Sequence, residues 1–583
     1  MWSERRDYTL CEYSARMSAV QSATTPVWRR YGVYAAIAGI YAVACRVMLA
    51  PIFNFANPST ASYGGDSRAF IWVLAWDNHV VLDRAPSLFN ANKLYPLPNA
   101  LAYGEHLFGI SLFTLPVYAF TRNPVLAYNV VWLLCYVLTV ATGHYLAWRY
   151  TRDHLAGLVA GMMCAFCFYR MHHGHGHLNL IWGFWIPLSL VAMERWTAKP
   201  TWTRLAVWVG IVVLQALAAW YEAVLITVAD VLFLLWLFGV ERRRVPLKLF
   251  LVQGGAAVLA AFALVWPFAR HYFILHQEPP SYAAGASADL VGWLVPPENT
   301  FAGQWLLAHG VKGSRWIWGE LTVYLGWTAV ILGAAGAIVS LRTGDESLRR
   351  SRFFIVLGIV AAVLALGPSA REVASGSFGW SPFGILSHVP GLSLFRIPAR
   401  YTQLIDLALA VLAAVACAAL HRRSGFAGRL VSAAAIVAFL AESYVVNFPG
   451  GQPVPAAVPP VYKHIATLPP GPVLSLPDYA NTPSWYEEAN YQYYSTAHWQ
   501  PTVNGDSREW PAEFLKLTAR LKTFPDPDAA AAMRDIGLRY VVVHAAQPGA
   551  AGMVEPAAAS DDYRLLARFD RDYLFQVQPK EAH

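Results

Sequence analysis

The sequence predicts a polytopic α-helical membrane protein with about eleven transmembrane helices, followed by a small α/β domain. The first observation is the composition: 14% of the 583 residues are charged, against roughly 25% in ordinary soluble domains, and 56% are apolar. The second is that several apolar runs reach the ~20 residues that a helix needs to cross a bilayer. The third is a Pro- and Gly-rich stretch after residue 447, beyond which strand and helix patterns replace the long apolar runs.

The expected organisation follows the chain from its N-terminus. Residues 1–30 are predicted to form a cytoplasmic tail, because they are mostly polar and precede the first apolar run. Residues 31–447 form the membrane region, and residues 53–124 within it are the first long loop. Residues 448–460 are a linker, and residues 461–583 are the small α/β domain. The predicted spans are 31–52, 125–148, 154–170, 178–194, 204–220, 222–240, 248–267, 320–341, 352–367, 400–420 and 427–447.

The basic residues favour one orientation of these spans. The net charge of +8 sits in short clusters between apolar runs, such as Arg242–Arg244 and Arg422–Arg423, which is typical of cytoplasmic loops. This distribution of positive charge therefore predicts contact with membrane lipid and indicates no nucleic-acid partner. The apolar run 107–120 is short and contains Pro116. If this run does not cross the membrane, every basic cluster falls on the cytoplasmic side. We therefore expect this run to lie in the outer interface, with the N-terminus cytoplasmic and the C-terminal domain extracytoplasmic.

The C-terminal domain has the pattern of a small α/β fold. Three short segments, 473–476, 540–543 and 573–577, are predicted strands, and residues 512–523 and 528–536 are predicted helices. The aromatic residues around 491–499 are typical either of a sugar-stacking surface or of an ordinary aromatic core.

The first long loop carries two candidate catalytic carboxylates. Asp66 follows Gly64-Gly65, which would let the backbone approach a ligand closely, although an aspartate in a turn can also serve only its own loop. Glu105 begins the short apolar run together with His106, and an acidic residue there can equally stabilise a helix N-terminus.

Further charged residues gather on the same predicted side of the membrane. A charged group facing lipid near the bilayer centre costs at least ~2.5 kcal/mol, so such groups normally line a shared cavity. The four histidines in residues 172–177 could bind a metal, but solvated loop histidines or phosphate contacts suit their spacing as well. The arginines ahead of the span at 400 could bind an anion or anchor a helix end, Glu222 could face water in a turn, and Glu320 could cap a helix. The candidate substrate-binding residues are Arg68, His106, Arg170, His177, Glu222, Glu320, Arg396 and Arg400.

These motifs resemble those of the GT-C superfamily of integral membrane glycosyltransferases. The likeness is to bacterial members near the protein O-mannosyltransferases and the lipid A aminoarabinose transferases, and its pattern covers most of residues 31–447. The residues that carry it are Gly65-Asp66-Ser67, Tyr95-Pro96, Tyr103-Gly104-Glu105-His106-Leu107, the segment 123–129, Tyr169-Arg170, His177-Leu178, Tyr324-Leu325-Gly326 and Arg396-Ile397-Pro398-Ala399-Arg400.

The resemblance implies an enzyme of the bacterial inner membrane that uses a sugar carried on a polyprenyl phosphate. Transfer would take place on the extracytoplasmic side, to a cell-envelope glycan, a lipid or a protein, with Asp66 as the family's first-loop aspartate. The sequence Asp66-Ser67-Arg68 lacks the second acid of a DxD motif, so a divalent metal cofactor stays open. A lipid phosphate leaves without protonation, so the chemistry needs positive charge there and one base for the acceptor. A single carboxylate base, Asp66 first and Glu105 second, predicts inversion of the anomeric centre.

Two other function classes fit the same composition. One is a transporter or lipid flippase with an outward-facing cavity for an anionic substrate, and the other is a non-catalytic relative that helps to assemble envelope polymers. Charge is thin on the inner halves of the spans, which disfavours transport because alternating access needs a polar route through the midplane.

Overall fold

The computed structural model describes residues 27–57, 61–62, 66–85, 87–275, 286–288, 290–310, 323–367, 382–387, 397–446, 454–455, 457–478, 485–507 and 511–579. The chain divides into two compact units, Met1–Ala50 and Pro51–His583. The first unit contributes helix α1 (Val27–Met48), in which Tyr31–Met48 is long and apolar enough to cross a membrane.

The second unit is mostly helical up to residue 443. Its helices in this part are α2 (Asp66–Asp83), α3 (Phe108–Thr121), α4 (Pro124–Thr151), α5 (His154–Phe166), α6 (Phe168–His173), α7 (Leu178–Ile181), α8 (Trp185–Ala198), α9 (Trp202–Ala218), α10 (Trp220–Gly239), α11 (Leu247–Ile274), α12 (Phe301–Ala308), α13 (Trp327–Arg342), α14 (Glu346–Arg349), α15 (Arg352–Ala365), α16 (Pro382–Ser387) and α17 (Thr402–Ser443). A 3₁₀ turn, Pro398–Tyr401, leads directly into α17 and carries Arg400. The segments that could cross a membrane by length and composition within the described part are Tyr31–Met48, Pro124–Thr151, Trp220–Gly239, Leu247–Ile274 and Pro398–Ser443.

The helices depart from the predicted spans at two breaks, and a third break falls between two predicted spans. The predicted span 154–170 is divided at Cys167, whose ψ of 149° is not helical, and the span 178–194 begins with the separate short helix α7. The two predicted spans 400–420 and 427–447 lie on either side of Gly425, whose φ of +53° interrupts α17. The number eleven therefore stays a prediction. Two of the breaks lie in residues 167–184, where the histidine-rich segment is found.

Small residues let the central helices approach closely. A Cβ built on Gly161 of α5 would lie 2.6 Å from the carbonyl oxygen of Val140 in α4, and one on Gly336 of α13 would collide with the backbone of Leu412 in α17. Close approach through small residues is a common way for helices to associate where lipid provides no hydrophobic driving force.

The basic clusters meet at one end of the helices. The Glu194 carboxylate is 2.6 Å from an Arg149 nitrogen and 3.5 Å from one of Arg350, and Arg243 and Glu241 join the same network. Arg422 pairs with Asp345 nearby, and Ser347 donates to the carbonyl of Tyr150. These contacts join the C-terminal ends of α4, α8 and α10 to the α13–α15 connection, as the one-sided arrangement of basic residues requires.

The region after residue 457 contains a four-stranded sheet with the order β3-β4-β6-β5. The strands are β3 (Val473–Leu476), β4 (Tyr540–His544), β5 (Tyr563–Phe569) and β6 (Asp572–Val577); β3 and β4 are parallel, and the other pairs are antiparallel. The short strands β1 (Ala61–Ser62) and β2 (Val454–Pro455) pair separately. Around the sheet lie helices α18 (Pro460–Ile465), α19 (Trp485–Tyr494), α20 (Ala512–Leu521), α21 (Pro527–Asp535) and α22 (Ala551–Ala559). We refer to residues 457–579 as the C-terminal region.

The first long loop is built into the C-terminal region. Leu94 and Ala100 belong to the same apolar core as strands β3 and β4. The Leu94 amide donates to the carbonyl of Asn504 at 3.2 Å, and the Tyr95 amide donates to that of Thr502 at 2.9 Å. The Lys93 ammonium is buried there and donates to the carbonyl of Asp506 at 2.8 Å. The two segments, about 400 residues apart in sequence, therefore share one packed structure.

Candidate active site

The most accessible part of the site is a carboxylate–imidazole pair. Asp66 is the first residue of α2, where a carboxylate interacts favourably with the helix N-terminus. Its Oδ2 lies 2.7 Å from Nε2 of His177, and the two side chains are 32% and 28% exposed. The next residue, Ser67, donates from Oγ to the carbonyl of His175 at 3.1 Å. The pair is thus held together by two adjacent contacts and remains open to a ligand.

A second imidazole extends this pair inward. Nδ1 of His173 lies 3.2 Å from Nδ1 of His177, and His173 is buried. One of these two Nδ1 atoms must carry the hydrogen for this contact to be a hydrogen bond. If Nε2–H of His177 donates to Asp66, a neutral His177 can only accept at Nδ1, so His173 donates to it. The order of donation then runs from His173 through His177 to the carboxylate.

Burial keeps the neighbouring histidines uncharged near neutral pH. The pKa of His172 is lowered to about 3, mainly by burial and also by the nearby His175 and His177. The pKa of His173 is held well below its ordinary value by burial and by His177, and that of His175 is lowered for the same reasons. Burial therefore favours the uncharged form of these three imidazoles.

A second group of polar side chains is buried beside Gly183. A Cβ placed on Gly183 would lie 2.8 Å from Oε2 of Glu222, 2.9 Å from Nη2 of Arg170 and 3.5 Å from Oε1 of Gln403. The Gln403 amide donates to Oε1 of Glu222 at 2.6 Å, and Arg170 donates to the carbonyl of Ile181. Glu222 is completely buried, and the guanidinium of Arg170 offsets part of the cost of burying its carboxyl group.

Arg400 connects the two groups. Its guanidinium lies 3.9 Å from the ring centroid of Tyr221, a cation–π contact, and it interacts electrostatically with both His173 and Glu222. Glu105 also interacts electrostatically with Glu222. The site therefore extends from the exposed Asp66–His177 pair to a buried group of carboxylates and arginines, within one region at the end of the helices opposite the Glu194 network.

The structure brings most of the predicted site residues together. Those that lie in this region are Asp66, Glu105, Arg170, His177, Glu222 and Arg400. Arg170 is enclosed by protein groups, whereas Arg400 interacts electrostatically with His173. Glu320 and Arg396 lie outside the described residues.

Two predicted substrate-binding residues are placed differently. Arg68 is buried against the C-terminal region, where its guanidinium lies 4.7 Å from the ring centroid of Tyr493. His106 sits in an aromatic cluster with Trp220 and Phe268, and its Nδ1 accepts from the Phe108 amide at 3.1 Å. Burial lowers the pKa of His106 to about 3.

Sequence reasoning missed Gln403 and Asp406. Both line a small buried cavity together with Arg170, Cys164 and Thr139. The signal that could have found them is their spacing: Arg400, Gln403 and Asp406 recur every three residues at the start of an otherwise apolar helix. Polar residues at that spacing share one side of a helix, and within a membrane such a side normally faces the protein interior.

The donor set does not make up a metal site. Nε2 of His177 lies on Asp66 and its Nδ1 on His173, so both ring nitrogens already have protein partners. Among the described residues, no three His, Cys, Asp or Glu side chains are grouped so that they could hold a metal ion. We therefore derive no step through a metal.

With this geometry in place, comparison with solved structures identifies the fold. The arabinofuranosyltransferase AftD from Mycobacteria superposes with a TM-score of 0.58 at 14% identity, over 96% of this chain. The chain has the GT-C fold. It spans only 40% of the length of AftD, and the likeness at this identity concerns the fold alone.

Other GT-C structures match less closely. ArnT from Cupriavidus metallidurans, solved with undecaprenyl phosphate bound, gives a TM-score of 0.48 at 12% identity, covering 94% of this chain and 99% of that one. The oligosaccharyltransferase of Archaeoglobus fulgidus gives 0.44 at 13% identity, covering 88% and 70%. No protein-family model matches the sequence, and the comparison with curated proteins gives no match.

Proposed function

We propose that this chain is a membrane glycosyltransferase that transfers a sugar from a polyprenyl-phosphate donor to an acceptor. The observation that carries the proposal is the Asp66–His177 pair, 2.7 Å apart and partly exposed, next to a buried group that contains Arg400. The GT-C fold supports this proposal. The sequence resemblance to GT-C enzymes implies that Asp66 corresponds to the aspartate in their first loop. The acceptor would be a cell-envelope glycan, a lipid or a protein. We propose a bacterial inner-membrane location, with the N-terminus cytoplasmic and the C-terminal region extracytoplasmic.

In the proposed reaction Asp66 is the general base. Its carboxylate removes the proton from an acceptor hydroxyl as the acceptor oxygen attacks the anomeric carbon. The bond between that carbon and the phosphate oxygen breaks, its electron pair stays on the phosphate, and polyprenyl phosphate leaves. Attack opposite the leaving group inverts the anomeric centre, because no covalent sugar intermediate forms. A positioned base of this kind contributes roughly 10²- to 10⁴-fold to the rate.

His177 and His173 hold the base in its reactive form. A hydrogen bond from Nε2 of His177 orients the carboxylate and stabilises its charge. Arg400 interacts electrostatically with His173 of this row, and we assign to it the stabilisation of the negative charge that develops on the leaving phosphate. Glu105, near the buried Glu222, is the second candidate for an acid–base role.

The test is donor consumption by purified full-length protein in detergent. A panel of labelled polyprenyl-phosphate sugars is offered with and without chelator, and both transfer and slow hydrolysis to free sugar are followed. We expect consumption by wild type and at least a 100-fold loss in Asp66→Asn. Asp83→Asn, at the other end of the same helix, is the matched control, because it removes a carboxylate paired only with His79 and Arg122 on the surface.

Two outcomes would refute the proposal. One is intact donor across the whole panel with folded wild type, which would favour the transporter or flippase class and lead to a lipid-translocation assay. The other is equal activity in Asp66→Asn and Asp83→Asn, which would remove Asp66 from the chemistry. A rate that falls with chelator in wild type would add a metal to the reaction.

A further inference from the structure

One side of α2 is covered by a short stretch of the C-terminal region. The residues on this side are Arg68, Trp72, Trp76 and His79, which are spaced by four, four and three residues. Such spacing places them in one row along a helix. All of them contact residues between 493 and 499. Asp66 is two residues before Arg68, and residues at that spacing point to different sides of a helix.

The contact nearest Asp66 is made by Arg68. Its guanidinium lies 4.7 Å from the ring centroid of Tyr493 and hydrogen-bonds the side chain of Tyr494, and the residue is 1% exposed. Glu487 lies about two helical turns before Tyr493 and Tyr494 on α19, and its negative charge interacts favourably with Arg68. An arginine held in this way loses its rotamer freedom, and the first turn of α2 is held with it.

The row continues for three further turns. Nε1 of Trp72 donates to Oγ of Ser495 at 3.1 Å. The ring of Trp499 stacks on that of His79 at 4.3 Å between centroids and lies 5.8 Å from that of Trp76. Helix ends are the parts of a helix that open most readily, so a row of contacts that begins within the first turn stabilises the end that carries Asp66.

We propose that Arg68 is a positioning residue through which the C-terminal region holds Asp66 against His177. The catalytic half of this inference rests on the proposed function, and the structural half does not. For Arg68, this role differs from the substrate contact predicted from the sequence. For the C-terminal region, it differs both from recognition of an acceptor and from simple covering of the cavity. A catalytic group must be held to within about 0.5 Å of its productive position, and Arg68 supplies that restraint from outside the site.

The experiment uses two readouts on the full-length chain in detergent. Arg68→Gln removes the cation, and Tyr494→Phe removes the hydrogen bond from the opposite side, which keeps the test available if the first variant folds poorly. Arg568→Gln is the matched control, because Arg568 makes a similar contact with Tyr573, 5.1 Å from its ring centroid, on the exposed surface of the same region. The readouts are steady-state donor consumption and backbone hydrogen exchange of residues 66–79.

For Arg68→Gln we expect kcat to fall roughly 10- to 100-fold with KM changed less than twofold, since misplacement by about 1 Å can cost that much. Exchange of residues 66–72 should be at least tenfold faster, and Tyr494→Phe should shift both readouts in the same direction. Arg568→Gln should leave both unchanged. A rise in KM with kcat unchanged would overturn the inference in favour of a substrate contact.

Exchange separates this inference from the proposed function. Unchanged exchange in α2 would overturn it whatever the activity. Faster exchange with unchanged kcat would overturn the positioning role, and faster exchange in a protein whose wild type consumes no donor would refute the proposed function while the restraint on α2 stands.

Discussion

A single methyl group placed on Gly183 should disturb the buried charges without removing any of them. In Gly183→Ala the new Cβ would lie 2.8 Å from Oε2 of Glu222 and 2.9 Å from Nη2 of Arg170. Ordinary contacts begin near 3.4 Å, so both groups must move by about half an ångström. They are buried and bonded to other groups, so we expect a cost of about 1–3 kcal/mol, typical of overpacking. Displacement of the charges beside Arg400 should also lower kcat roughly 10- to 100-fold.

The assay compares Gly183→Ala with Gly210→Ala in thermal unfolding and donor consumption. Gly210 lies within α9, and a Cβ there would meet no atom within 4 Å, so the control should gain about 0.4–1 kcal/mol through the unfolded chain. The expected result is a lower Tm and lower kcat for Gly183→Ala alone. Equal Tm and kcat in the two variants would refute the argument that Glu222, Arg170 and Gln403 are closely packed around this position.

Two further predictions concern pH and the opposite end of the helices. Burial holds the pKa of His106 at about 3, below its ordinary 6.5. Between these two pH values the unfolded chain binds a proton at His106 that the folded chain does not bind. The free energy of unfolding therefore falls as pH drops from 6.5 towards 3. Wild-type Tm should therefore fall between pH 7 and pH 5 more steeply than that of His106→Gln, and parallel curves would contradict this. Glu194→Gln should cost about 1–3 kcal/mol, because it leaves three arginines without their partly buried partner. The exposed Glu346→Gln should leave Tm unchanged, and a similar loss in both variants would show that the network contributes nothing of its own.

The broad fold could be predicted because a bilayer leaves few choices. Apolar runs of sufficient length must form helices there, and charges that cannot face lipid must gather. The common location of Asp66, Glu222 and Arg400 follows from that second rule, although they lie in three distant parts of the sequence. The breaks at Cys167 and ahead of Trp185 could not be predicted, because no Pro or Gly marks the first and because local packing decides where an apolar run is interrupted.

The placement of Arg68 illustrates what a single sequence hides. Beside Asp66 it has the features of a substrate contact, and its partners Tyr493 and Tyr494 lie more than 400 residues away. Only the helical conformation of residues 66–83 separates the direction of the carboxylate from that of the guanidinium. From the sequence, the aromatic residues around 491–499 could form either a sugar-stacking surface or an ordinary aromatic core. In the structure, Tyr493, Tyr494 and Trp499 contact α2.

The union of the first loop with the C-terminal region also governs the order in which the protein can fold. The contact between Lys93 and Asp506 joins residues 413 positions apart, so the ribosome must make the whole membrane region between them first. At about 5–20 residues per second that takes roughly 20–80 s. Throughout this interval Trp72 and Leu94 lack their final partners, and Arg68 lacks its contact with Tyr493. The proposed enzyme would therefore become active only when nearly the whole chain has been synthesised.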